Sequence, residues 1–145
     1  MSVENLLANR ELLTKQLFWL EHSFKESKKI GLKTAYELDE FDSFENLCSR
    51  FSRTIDFLVR KMFRAIDAVE FENQGTLIDT VNNAHKRRLF DDIETIREIK
   101  DLRNAITHEY VDDALQDLFE EIMDLTPKLI GMVERTLDYT KQYEQ

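Results

Sequence analysis

Glycine and proline are scarce, with three and one in 145 residues. That is too few for a turn-rich sandwich or barrel and for the tight loops of an α/β fold, so the expected class is all-α. Cysteine occurs once, at Cys48, which excludes an intramolecular disulfide and points to a reduced, cytoplasmic setting. No uncharged stretch approaches the roughly 18 residues of a membrane span, and no N-terminal apolar run has signal-peptide form, so neither insertion nor export is expected. Repeats, low-complexity tracts and linkers are missing, and the length suits a single domain over 1–145. There is no Gly-rich phosphate loop, no Cys/His set with metal spacing and no Gly-x-Ser-x-Gly turn, so no metal or cofactor is expected.

Basic residues are outnumbered, 20 Lys and Arg against 29 Asp and Glu, for a net charge of −9. Such a field repels phosphate and argues against non-specific coating of DNA, while leaving room for a local basic site.

What is present is helical periodicity. Ser2 is placed to cap a first helix running to about Lys29, with Val3, Leu6, Leu13, Leu17, Leu20 and Phe24 as its buried stripe. Leu12 and Trp19 lie on a different face, as a wide core contact or a partner surface. Gly31 ends this helix, and the segment to about Phe41 reads as a loop. Asp42 and Glu45 have capping-box spacing, with Ser43 as rival cap, for a second helix reaching about Glu70. Its core stripe is Phe44, Leu47, Cys48, Phe51, Ile55, Leu58, Met62, Ile66 and Val69. Opposite that stripe, Arg50, Arg53, Arg60, Lys61 and Arg64 gather in a sector about 100° wide, with Phe57 among them.

Thr76 is expected to cap a short helix from Leu77 to Arg88, and Asp91 or Asp92 to start a fourth with Ile93, Ile96, Ile99, Leu102 and Ile106 inward. That helix should stop near His108. A last helical stretch begins around Asp113, and Thr126-Pro127 is expected to interrupt it by a kink or a fresh cap. The architecture read from this order is an up-and-down bundle of four to five helices. His22 and His85 read as solvated helix residues.

One run carries chemistry. Asp101-Leu102-Arg103-Asn104-Ala105-Ile106-Thr107-His108-Glu109-Tyr110 contains Arg-x4-His-x-Tyr, with Asn104 directly after the arginine. Together with the helix order, it resembles the HepT-type proteins of the HEPN superfamily, small helical bundles whose signature is Arg-x4–6-His-x-Tyr. The resemblance covers essentially the whole chain. It implies a metal-independent endoribonuclease site completed when two protomers pair, with Arg103, His108 and Tyr110 in the signature places and Asn104 in its polar position. It also implies a Mnt-type nucleotidyltransferase partner acting as antitoxin, which transfers AMP onto Tyr110.

The residue chemistry is compatible. Cleaving RNA without a metal needs a base for the 2′-hydroxyl proton, an acid for the leaving oxygen and positive charge on the phosphorane. Histidine suits either proton role, and arginine presents a fixed fork of donors to phosphate. Tyrosine can hold the phosphate, stack on a base or accept a modification. On an uninterrupted helix Arg103 and His108 stand about 140° apart, so one helix cannot aim both at one phosphate. A helix break before Tyr110, a symmetric dimer, or both are therefore expected. A structural alternative is a helix end at which His108 caps, Arg103 makes a surface ion pair and Tyr110 packs on the bundle.

Charge marks two further surfaces. Glu109, Asp112, Asp113, Asp117, Glu120, Glu121 and Asp124 form a run without compensating bases, unfavourable to RNA and suited to a basic partner. The Arg50–Arg64 face with Phe57, and Lys86-Arg87-Arg88, can guide RNA, bind the nucleotidyltransferase or simply be solvated. A different function class also fits: a non-catalytic substrate-binding or regulatory subunit of a nucleotidyltransferase.

Overall fold

A first helix, α1 (Ser2–Ile30), lays Leu6, Leu13, Leu17 and Leu20 into the core at three-, four- and seven-residue spacing. Gly31 ends it with a positive φ of 76°, a conformation glycine adopts without penalty, and its N–H donates to Ser27 O. These features belong to a computed structural model that describes residues 2–70, 75–108 and 115–144, with His108 described by its backbone alone. Val3, expected in the buried stripe, is 37% exposed. Leu12, Phe18 and Trp19 are exposed as well, so the second apolar strip is no core contact.

The next rod is continuous from 38 to 69 and has three parts: α2 (Leu38–Phe57), a π-helical segment (Leu58–Phe63) and α3 (Arg64–Val69). It starts earlier than the Asp42 or Ser43 caps would have it. Glu40 accepts a hydrogen bond from the Glu37 N–H at 2.9 Å, the return half of a capping box, so the helix opens at Leu38. The π-helical segment widens the buried face. Leu58, Val59, Met62 and Phe63 are all buried, while Arg60 and Lys61 between them are exposed.

Thr76 caps α4 (Leu77–Lys86) by accepting from the Asp79 N–H. Asp92 caps α5 (Ile93–His108) through the Glu94 N–H at 2.9 Å. Along α6 (Leu115–Thr140) no fresh cap forms at Thr126-Pro127, and the helix runs on through Pro127. Proline inside a helix costs about 3 kcal/mol through one lost hydrogen bond and a clash. Here Phe119, Ile122, Leu125, Leu129, Met132 and Val133 bury one face on both sides of it, and that packing holds the helix together. A 3₁₀ turn (Lys141–Tyr143) follows.

Among the described residues the chain is an all-α helical bundle without strands, and no helix is long and apolar enough to cross a membrane. α1 packs on α2, α3 and α6, whereas α5 packs on α2 and α6. Stacked Phe44 and Phe119, with ring centroids 4.4 Å apart, join α2 to α6 in the core.

Candidate functional site

The rotation of α5 is fixed by Ile96, Ile99 and Leu102, which are buried at three-residue steps. Arg103 follows at the edge of that face and reaches α2. Its Nε lies 3.0 and 3.1 Å from Asp56 Oδ1 and Oδ2, and its Nη2 lies 2.8 Å from Oδ2. The carboxylate thus grips the Nε–Nη2 side of the guanidinium. The Nη1 end keeps its donors, a geometry that holds the fork in place without exhausting it. Hydrogen bonding to Asp56 raises the Arg103 pKa further above its already high value, so the site cation is permanent. About a third of each side chain is exposed (32% and 38%), so solvent screens the pair and its stability contribution is below about 1 kcal/mol.

Arg103 lines a recess of about 110 Å³ together with Asp56, Arg60, Lys100, Asn104 and apolar walls from Ile55, Val59 and Leu77. Three cations there face one carboxylate, a local charge of +2 on a chain of net −9. The recess therefore attracts anions that the molecule as a whole repels. Asn104 is placed between the two sides of the motif. It lines the recess beside Arg103, and position 108, four residues further along α5, shares its helix face. α5 is continuous to His108, so Arg103 and position 108 keep their separation of about 140° around the axis. Tyr110, and the acidic positions 109, 112 and 113, lie outside the described residues.

The basic sector of the 38–69 rod divides into two parts. Arg50 turns back onto α1: its Nη1 donates to Ser23 Oγ at 2.7 Å, and the guanidinium lies 4.8 Å from the centre of the Trp19 ring. Arg53 donates to Ser49 Oγ at 2.9 Å. Arg60, Lys61, Arg64 and Phe57 instead line a groove of about 420 Å³ closed on its other side by Asn5, Asn9 and Leu12 of α1. Arg60 belongs to both the groove and the recess.

Lys86-Arg87-Arg88 is not a uniform basic patch. Arg87 has a side chain only 8% exposed, bonded to Asp67 Oδ1 at 2.6 Å and Glu70 Oε1 at 2.7 Å. Glu70 also accepts from Tyr139 and Tyr143, and Asp67 from Asn83. Burial pushes the Glu70 carboxyl upward, but hydrogen bonds from Tyr143, Tyr139 and Arg87 outweigh it and hold the group below the usual carboxylate range. Arg88 takes φ 62°, closing α4 with Leu89 N–H to Ala84 O and Arg88 N–H to His85 O. His85 is half-buried rather than solvated: it stacks on Phe90, and its Nε2 lies 3.1 Å from Asp91 O.

Sequence reasoning passed over Asp56 and Lys100. Asp56 had a signal, as the lone acid in the stretch from Arg50 to Arg64, three residues from Arg53 and four from Arg60. Lys100 stands one helical turn before Asn104, on the same face. Compared with known proteins, the chain matches no family model, no curated protein and no solved structure.

Proposed function

We propose that this protein is a metal-independent endoribonuclease of the HepT type, the toxin half of a toxin–antitoxin pair, with a site completed when two copies meet about a two-fold axis. The observation that carries the reading is Arg103. It belongs to the Arg-x4-His-x-Tyr run, is held side-on by Asp56, and keeps donors free at the edge of a cationic recess. A permanent, positioned cation is what a phosphorane with two negative oxygens requires.

In this reading His108 of one copy takes the 2′-hydroxyl proton while the 2′-oxygen attacks the adjacent phosphorus. The P–O5′ bond breaks, and the leaving oxygen takes a proton from His108 of the second copy. A 2′,3′-cyclic phosphate and a 5′-hydroxyl result. The angular separation of positions 103 and 108 along α5 supports assembly from two copies. Silencing follows when a Mnt-type nucleotidyltransferase partner joins the Tyr110 oxygen to the α-phosphorus of ATP and releases pyrophosphate.

RNA cleavage in EDTA tests the reading. Wild-type protein is expected to cut, and His108→Ala to lose about 10²–10⁴ in rate while still binding RNA. Tyr110→Phe is expected to escape nucleotide transfer, read by mass spectrometry after incubation with the partner and ATP. Absence of cutting, or cutting untouched by His108→Ala, overturns it. A specific observation favours a second reading, a non-catalytic partner subunit: Asp117, Glu120, Glu121 and Asp124 surround Leu32 and Met123 in an acidic surface suited to a basic protein. Stimulated nucleotide transfer to another substrate without RNA cleavage would select it.

A further inference from the structure

Arg60 joins two cavities of different size and character. On one side is the recess of about 110 Å³ with Arg103 and Lys100, too small for more than a few water-sized groups and strongly cationic. On the other is the groove of about 420 Å³, which adds Lys61 and Arg64 and the ring of Phe57. The π-helical segment creates this junction. By burying residue pairs on either side of Arg60 and Lys61, it sends two consecutive cations outward, Arg60 onto both the recess and the groove and Lys61 onto the groove. π-Helical insertions of this kind recur at functional sites.

We infer that a single RNA strand runs from the Arg103 recess over Arg60 into the Phe57 groove, with one backbone phosphate among Arg60, Lys100 and Arg103 and a neighbouring base against Phe57. The inference rests on the ribonuclease reading and adds the path by which substrate reaches it. Cations at intervals with an aromatic between them match what a strand offers, alternating phosphates and base faces, regardless of sequence. The small recess fits the phosphate, and the larger groove the base. The path is also one by which an acidic protein can hold RNA. The acidic surface of α6 around Leu32 is lined by none of these residues, and the attraction is local to the cations that line the recess and the groove.

The test is fluorescence anisotropy with a labelled, fully 2′-O-methylated oligouridylate of about 10 nucleotides, which keeps its phosphates but has no attacking hydroxyl. Arg60→Glu is expected to weaken binding about ten- to a hundredfold. Arg60→Gln should lower the slope of log affinity against log salt by about 0.7, the contribution of one phosphate contact on a single strand. Phe57→Leu keeps an apolar side chain but removes the ring, and should weaken binding with the slope unchanged. Lys128→Glu, an exposed charge reversal on α6, should change little. Unchanged affinity in both Arg60→Glu and Phe57→Leu overturns the path, and so does an Arg60→Glu protein that loses only the nucleotidyltransferase. If wild-type protein cuts natural RNA while those variants bind normally, the path fails and the ribonuclease reading stands. If the variants lose binding but wild-type protein never cuts, the path stands and the ribonuclease reading fails.

Discussion

Arg87 and Arg103 each reach across the bundle to carboxylates from another element, yet the two clusters differ in what they leave over. Arg87 spends Nε on Glu70 and Nη1 on Asp67, and its side chain is only 8% exposed. Glu70 and Asp67 are in turn filled by Tyr139, Tyr143 and Asn83. That cluster ties α3, α4, α6 and the 3₁₀ turn together and presents little to solvent. Arg103 meets one carboxylate on one side and keeps its other end at an open, cationic recess. A closed arginine network holds a fold, whereas a half-used one at the surface can hold a ligand.

The strongest way to break this comparison is to remove Arg87. Arg87→Ala leaves the fully buried Asp67 with an uncompensated charge, and breaking such a pair costs about 3–5 kcal/mol. Urea unfolding should show that loss as a lower midpoint. A cost below about 1 kcal/mol would mean the two arginines do not differ in kind. The counterpart is Arg103→Lys, which keeps the charge but cannot form the side-on pair with Asp56. Its unfolding midpoint should barely move, since about a third of the pair is exposed to screening solvent, while RNA cleavage should fall about ten- to a hundredfold. Asp56→Asn sharpens the point: it tests positioning, so cleavage should drop while the salt dependence of RNA binding is preserved.

pH separates the clusters next. Glu70 is held below its ordinary value of 4.5 in the folded state, so the stability it supplies is present above pH 4.5 and is lost as pH falls through the folded pKa. Burial first, then hydrogen bonding to Glu70, raises Tyr143 above its ordinary 10.0, and Tyr139 shifts the same way. Their contribution is complete below pH 10 and is lost as pH rises through the folded values. Stability against pH should therefore show a plateau with an acid limb and an alkaline limb. Glu70→Gln should flatten the first, and Tyr139→Phe with Tyr143→Phe the second. If Asp56→Asn flattens either limb as much, the Arg103 cluster shares the structural role.

How far each cluster was legible in sequence follows from the same contrast. Arg103 stood out because its motif is linear, with Asn104, His108 and Tyr110 within eight positions. Asp56 is 47 residues away, and only the packing of α5 on α2 brings it near. Arg87 was read within a basic run, because sequence neighbours share composition but not direction. The bundle itself was largely readable, since α1, the Thr76 cap and α5 follow apolar spacing and capping chemistry. The start of α2 was not, because glutamate is a weak N-cap by type and the Glu37–Glu40 arrangement depends on local geometry. Pro127 starts no new helix for the opposite reason: a strong local breaker is overridden by an apolar face buried along the whole of α6.

The smallest effect is expected at Arg88, and it isolates backbone from charge. Arg88 is exposed and occupies the left-handed position that closes α4, with φ 62°. Helices commonly place glycine there, because a Cβ in this conformation costs about 1 kcal/mol. Arg88→Gly should therefore stabilise the protein by about 1 kcal/mol, or by less where the freer unfolded chain offsets the gain. It sits next to Arg87, so the two variants should move the unfolding midpoint in opposite directions although both delete a positive charge. RNA affinity discriminates further. Arg88 lines neither the recess nor the groove, so binding should stay within the range of the Lys128→Glu control. A loss of affinity as large as that of Arg60→Glu would extend the RNA path to the end of α4. It would also give the Lys86–Arg88 run a ligand role that the burial of Arg87 alone argues against.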